Sequence, residues 1–144
     1  MSRISRIAGL FLLLVLLVLL IRGDLLSRSP WVILGQMAAV LLMVWARRSF
    51  HAGQFRVTPA PSASGLLLTR GPYRLIRHPM YAGALLLLWS SALGHWSRVN
   101  ALLALVASAA VLIRISDEER ALRAHFPDYA EYSRRTKRLI PYLL

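Results

Sequence analysis

The sequence predicts an all-α, polytopic membrane protein with four transmembrane helices and a cytoplasmic helical segment at its C-terminus. Three observations carry that prediction. Apolar residues make up 57% of the 144 and mean hydropathy is +0.54, against about 45–50% apolar in soluble domains. They fall in long uncharged blocks rather than amphipathic stripes, and the basic residues gather at alternate junctions between blocks. A chain this short makes one domain. It divides into an N-terminal hairpin (1–46), a connection (47–79), a second hairpin (80–115) and a tail (116–144).

The first block, Ile7 to Ile21, has neither a charge nor a break. Counted from Ile4, with Arg6 snorkelling, it makes roughly 27 Å of helix. Arg3 and Arg6 before an apolar run also fit a secretory signal, but Arg22-Gly23-Asp24 follows where small residues would mark cleavage, so a retained helix is expected. Trp31 to Ala46 is the second span, Met80 to about Gly94 the third and Val99 to Ile115 the fourth. Each is short for a core of about 30 Å, which implies snorkelling ends or a thinned bilayer. Gln36 within the second span should bond to a neighbouring helix. Ala101, Ala104 and Ser108 give the fourth span a small-residue face for close approach.

Charge gives the direction. Fifteen of the 18 basic residues lie at the N-terminus, in the long connection or in the tail counted with Arg114 at the end of the fourth span, leaving Arg22, Arg28 and Arg98 on the other side. The positive-inside rule then places both termini in the cytoplasm, here across the inner membrane of the cell. The net charge of +12 is thus mainly a topology signal, with adhesion to anionic lipid secondary. Nucleic acid is not an expected partner, because no recognition module is present and the charge lies against a membrane. The absence of cysteine excludes disulfides, zinc-thiolate sites and a cysteine nucleophile. Histidines 51, 78, 95 and 125 never fall at ligand spacing on one helix, so no metal site is expected. No nucleophile elbow, Walker A loop or dinucleotide fingerprint occurs. The connection is broken by Gly53, Pro59, Pro61, Gly65, Gly71 and Pro72, and its middle, 58–65, reads as irregular chain.

Two stretches could hold chemistry. In Gly71-Pro72-Tyr73-Arg74-Leu75-Ile76-Arg77-His78-Pro79-Met80-Tyr81-Ala82-Gly83, Pro79 suits the first turn of a helix. The third span therefore opens with Arg77 and His78 at its mouth, where free N–H groups and the helix dipole favour an anion. Gly83 stacks one turn above Pro79 and makes room for a flat group or a close helix. The plainer alternative is a proline-started helix with interfacial Arg, His and Tyr anchors. In the tail, Ile115, Glu119, Leu122 and Phe126 share one helical face carrying a single carboxylate, and Pro127 should start a second short helix. There the plain alternative is acids at a helix start and an ordinary Glu119–Arg123 pair. At most one of Glu118 and Glu119 is expected to point squarely into a site.

The segment from Gly71 to Gly83, read with Glu118-Glu119 and with Tyr129 and Tyr132, resembles the isoprenylcysteine carboxyl methyltransferase family, a relative of the membrane phospholipid N-methyltransferases. The likeness runs from about Gly71 to Pro141; the first two spans match only as a hydrophobic hairpin. The resemblance implies a membrane enzyme that binds S-adenosylmethionine between its last helices and C-terminal segment and methylates a lipophilic or membrane-embedded acceptor. By position, His78, Tyr81 and Gly83 would line the cofactor pocket, and Glu118 or Glu119 would hold ribose hydroxyls or the amino group. Tyr129 and Tyr132 would close over it. Arg77 and Arg135, with Glu119, are the catalytic candidates, the arginines facing the acceptor or the cofactor carboxylate. Extra N-terminal spans of the eukaryotic enzymes are missing, which leaves the acceptor open.

Two other functions compete. A similar helix start and a proline-ended tail (Arg138-Leu139-Ile140-Pro141-Tyr142) occur in sterol-reductase-like enzymes, which would bind NADPH. A non-catalytic protein gripping anionic lipid with its basic tail is the third.

Overall fold

A computed structural model describes residues 3–26, 28–50 and 67–141. Residues 58–65 of the connection lie outside them. Among the described residues the fold is five α-helices, a single 3-10 turn and one isolated β-bridge. The helices are α1 (Arg3–Ile21), α2 (Pro30–Arg48), α3 (Pro79–Gly94), α4 (Arg98–His125) and α5 (Tyr129–Arg135). By length and composition α2 and α4 can each cross a membrane, while the apolar stretches Ile7–Ile21 and Pro79–Gly94 are shorter.

Helix ends follow the punctuation of the sequence. Pro30 and Pro79 open α2 and α3, where a missing N–H costs nothing. The Ser97 side chain caps α4 by accepting from the Asn100 amide at 3.0 Å, satisfying one of the free donors of the first turn. No proline or glycine interrupts 98–126, so α4 continues without a break through Ile115 to His125. Asp117, Glu118 and Glu119 consequently lie far along a helix rather than at the start of one. Pro127 does precede a short helix, with α5 beginning two residues later.

In space α1 lies against α4, and α2 against α3, with α3 touching α4 between them. The core is Leu12, Val15 and Leu19 of α1 with Leu88, Ala92, Ala104, Ala107, Val111 and Ile115. Around it the usual polarity is reversed. Leu10, Leu13, Leu41, Leu102 and Leu105 point outward, all more than half exposed, while Gln36, Ser91, Asn100 and Arg114 are buried. Apolar surface on this scale is foreign to soluble monomers and suits a bilayer, where polar side chains turn inward to one another. Gln36 does so, donating to Ser91 Oγ on α3 at 3.2 Å and to the Leu25 carbonyl at 2.5 Å. At the same end Asn100 donates to Asp24 Oδ2 at 3.2 Å, and His95 Nδ1 lies 2.9 Å from the Asp24 carbonyl. Ser108 accepts from Trp89 Nε1 at 3.1 Å, which uses the small face of α4 against α3.

Candidate active site

The other end of the bundle collects the chemistry. Gly71, at φ +60°, starts the 3-10 turn Gly71–Arg74, a backbone conformation that costs other residues a steric clash. A Cβ there would also strike the Ser49 side chain at the end of α2. The turn delivers Leu75 to His78 alongside the returning tail as a short parallel ladder. Lys137 N donates to the Leu75 carbonyl at 3.1 Å, Arg77 N to the Lys137 carbonyl at 2.7 Å and His78 N to the Arg138 carbonyl at 3.0 Å. The tail is thereby stitched across the mouth of α3.

Glu119 is the hub. Its side chain is 4% exposed, and its carboxylate takes Arg77 Nε at 2.8 Å and Arg138 Nη2 at 3.0 Å, with His78 Nε2 at 3.5 Å. Burial alone favours the protonated form, but contacts from His78, Arg77 and Arg138 outweigh it and hold the carboxyl well below the usual range. Arg77 also gives Nη1 to the carbonyls of Ser133, at 3.0 Å, and Thr136. One guanidinium therefore joins the mouth of α3, the C-terminal part of α4 and the end of α5.

Beside the hub, the Tyr81 hydroxyl accepts from Arg114 Nε at 2.6 Å and donates to Glu118 Oε2 at 3.0 Å. Over it lie the tail tyrosines. Tyr132 donates to the Tyr73 carbonyl at 2.8 Å, and the Tyr129 and Tyr132 rings meet edge to face at 5.9 Å. Burial raises all three tail-side phenols, Tyr132 to about 12 and Tyr73 and Tyr129 further. Among the described residues three buried polar atoms have no hydrogen-bond partner: Asn100 Oδ1 at the opposite end of the bundle, and at this end His78 Nε2, whose 3.5 Å approach to Glu119 is an ion-pair distance and not a hydrogen bond, and the hydroxyl of the fully buried Tyr129. Native interiors rarely leave such atoms unpaired, so each points to a ligand or water.

Most of the residues singled out from the sequence meet here: Arg77, His78, Tyr81, Glu118, Glu119, Tyr129 and Tyr132. Two do not. Gly83 faces α2, where a Cβ would lie 2.5 Å from Met43 Cγ and 3.0 Å from the Ala39 carbonyl; its role in the structure is close helix packing. Arg135 is exposed and pairs with Glu131 one turn back on α5. The arginine that reaches Glu119 is Arg138, three residues on, because the chain leaves α5 after Arg135 and turns back onto α3. Both glutamates take part in the cluster, Glu119 through its pairs with Arg77 and Arg138 and Glu118 through the Tyr81 hydroxyl. About 100° apart on the helix, they flank it, Glu119 toward the tail and Glu118 toward Tyr81. Arg114 turns inward from α4, beneath Gly9 of α1. Its only signal in sequence was a charge inside an apolar run.

Among the described residues no three His, Cys, Asp or Glu gather as metal ligands. An open groove of about 510 Å³ runs along α2 beside Leu41, Trp45 and Arg48 and shares no residue with the cluster.

Comparison with known proteins matches residues 31–129 to the phospholipid methyltransferase family. A cobalt-zinc-cadmium resistance protein, CzcN, of Cupriavidus metallidurans is 42% identical over 78 residues. That match covers 54% of this chain and 36% of the relative, so the chain spans only about a third of that protein's length. No solved structure matches.

Proposed function

The chain belongs to the phospholipid methyltransferase family, and on that premise we propose a membrane methyltransferase of the isoprenylcysteine carboxyl methyltransferase kind, drawing its methyl group from S-adenosylmethionine. The acceptor is lipophilic and reaches the site from the bilayer. All four apolar helices cross the inner membrane, with both termini in the cytoplasm.

The observation that carries this reading is that His78 Nε2 and the Tyr129 hydroxyl, both buried, have no hydrogen-bond partner beside an ionised Glu119. They fit a ligand with hydroxyls, ring nitrogens and an amino-acid end. His78, Tyr81, Glu118, Tyr129 and Tyr132 are the residues that would hold it, with Glu119 behind them. When bound, S-adenosylmethionine supplies an activated methyl group on a sulfonium, open to in-line displacement by a nucleophile.

The chain's own contribution is then positional. Arg77 and Arg138 keep Glu119 ionised and hold the tail over the mouth of α3, which keeps bulk water from the reacting groups. Arg77 is engaged in this task through Nε and Nη1, and its part is structural support of the site. Such a reaction needs no side-chain nucleophile, because holding donor and acceptor in near-attack geometry provides most of the acceleration.

The test is calorimetric titration of S-adenosylhomocysteine into the purified chain, with His78→Ala as control. Labelled S-adenosylmethionine and a native membrane extract then identify the product. Binding that His78→Ala weakens, with label entering a lipophilic product, supports the reading. A well-folded chain that binds no cofactor overturns it.

A further inference from the structure

Between Asp24 and Asp117 the sequence holds no acidic residue, so the basic side chains of that long stretch have no carboxylate near them in the chain. Arg48, the last residue of α2, is exposed, and among the described residues it makes no hydrogen bond or ion pair. It closes one end of the open groove of about 510 Å³ on α2. Ala38, Leu41, Trp45 and Arg48 line that groove, and their spacing of three, four and three keeps them on one helix face. Leu41 and Trp45 are both more than half exposed, while the short side chain of Ala38 leaves the far end open. From Ala38 to Arg48 the helix rises about 15 Å, which is half of a hydrocarbon core of about 30 Å. The groove therefore has the depth of a single leaflet, apolar along its length and positive where the headgroups begin.

We propose that this groove binds an anionic phospholipid of the leaflet at its Arg48 end. One acyl chain lies along Ala38, Leu41 and Trp45, and the phosphate pairs with Arg48. A guanidinium suits that role because its planar fork matches two phosphate oxygens, and an indole ring favours the same headgroup level. A zwitterionic headgroup carries its own cation beside the phosphate, so Arg48 discriminates on net charge. A second copy of the chain fits the groove less well. A twofold dimer in a membrane turns about the membrane normal and sets equal residues at equal depth, so two Arg48 guanidinium groups would face each other. Residues 51–66, next along the chain, contain no acid to offer it. The inference rests on α2 crossing the bilayer and not on the chemistry at Glu119, since groove and cluster share no residue.

The experiment reads Trp45 in the full chain, reconstituted in phosphatidylcholine vesicles. Phospholipids brominated on their acyl chains, which quench an indole they touch, are included at equal mole fraction with either a phosphatidylglycerol or a phosphatidylcholine headgroup. Pairing each protein with its Trp45→Phe counterpart separates this indole from the rest of the four tryptophans. The wild type should prefer the anionic lipid by on the order of fivefold, the worth of one basic residue at an anionic surface. Arg48→Gln should bring the ratio close to one. Arg134→Gln, which removes an exposed charge from α5, should leave it unchanged. Ala38→Leu fills the groove and should lower quenching by the anionic lipid; this variant carries the test if Arg48→Gln fails to fold. Equal quenching in the wild type, a preference that survives Arg48→Gln, one that Arg134→Gln also abolishes, or no effect of Ala38→Leu overturns the lipid site while leaving methyl transfer standing. Quenching by neither lipid overturns it too, and cross-linking between Leu41→Cys chains would then give the groove to a second copy.

Discussion

Arg77 Nε meets Glu119 Oε1 at 2.8 Å across 42 residues of chain, and the same guanidinium reaches two carbonyls at the end of α5. This contact ties the C-terminal part of α4, the mouth of α3 and the tail into one unit.

Removing the charge at its centre should be costly. Glu119→Gln leaves the buried Arg77 without its counter-ion, and breaking a pair of this kind costs about 3 kcal/mol or more. The expected outcome is a clear fall in melting temperature in detergent, with faster tryptic cleavage of the tail at Arg134 and Arg135.

Acidity should reproduce that loss. The Glu119 carboxyl is held below its ordinary value of about 4.5, so the folded state binds its proton less readily than the unfolded chain. Its stabilisation is therefore complete above that value and is lost as pH falls below it. Melting temperature measured against pH should stay level through neutrality and drop on the acid side, and Glu119→Gln should flatten that acid limb.

Arginines at the tail should not be equivalent. Arg135→Ala removes an exposed pair with Glu131 and should change stability by less than about 0.5 kcal/mol. Arg138→Ala should loosen the tail and weaken S-adenosylhomocysteine binding. Arg77→Lys should also weaken it, because one ammonium cannot serve the carboxylate and two carbonyls with the geometry of a guanidinium. Calorimetry on the three variants checks the order.

Gly83→Ala should act on packing rather than on binding residues. The added methyl meets Met43 and the Ala39 carbonyl of α2, and overpacking of this kind costs about 1–3 kcal/mol. Thermal unfolding should show the loss, and Met43→Ala should recover part of it, since the carbonyl remains in the way.

A chain without cysteine allows a direct test of orientation. Single cysteines at Ser97 and at Arg134 should label from opposite sides of sealed inner-membrane vesicles with a membrane-impermeant maleimide. Labelling of both from one side would contradict the four-span arrangement.

Much of this architecture was legible residue by residue. Uncharged runs define helices because an unpaired backbone has no partner in lipid. Pro79 fixes a helix start because a pyrrolidine ring has no N–H to lose. His78, Tyr81, Glu118, Glu119, Tyr129 and Tyr132 could be singled out through a family likeness confined to short motifs. Gly83 belonged to the same motif and Arg135 was a candidate by position, yet the structure puts both elsewhere.

By itself the sequence determined the α-helical class, the apolar blocks, the uneven distribution of positive charge and the family, all of which depend on composition and local spacing. Only the tertiary structure decided that α1 packs on α4, that Arg138 and not Arg135 reaches Glu119, that Gly83 serves α2 and that Arg114 turns inward beneath Gly9 to meet Tyr81. Each depends on how far a helix is rotated about its axis and where the tail returns. Those are set by contacts between residues distant in the chain, and a difference of one position on a helix turns a side chain through about 100°.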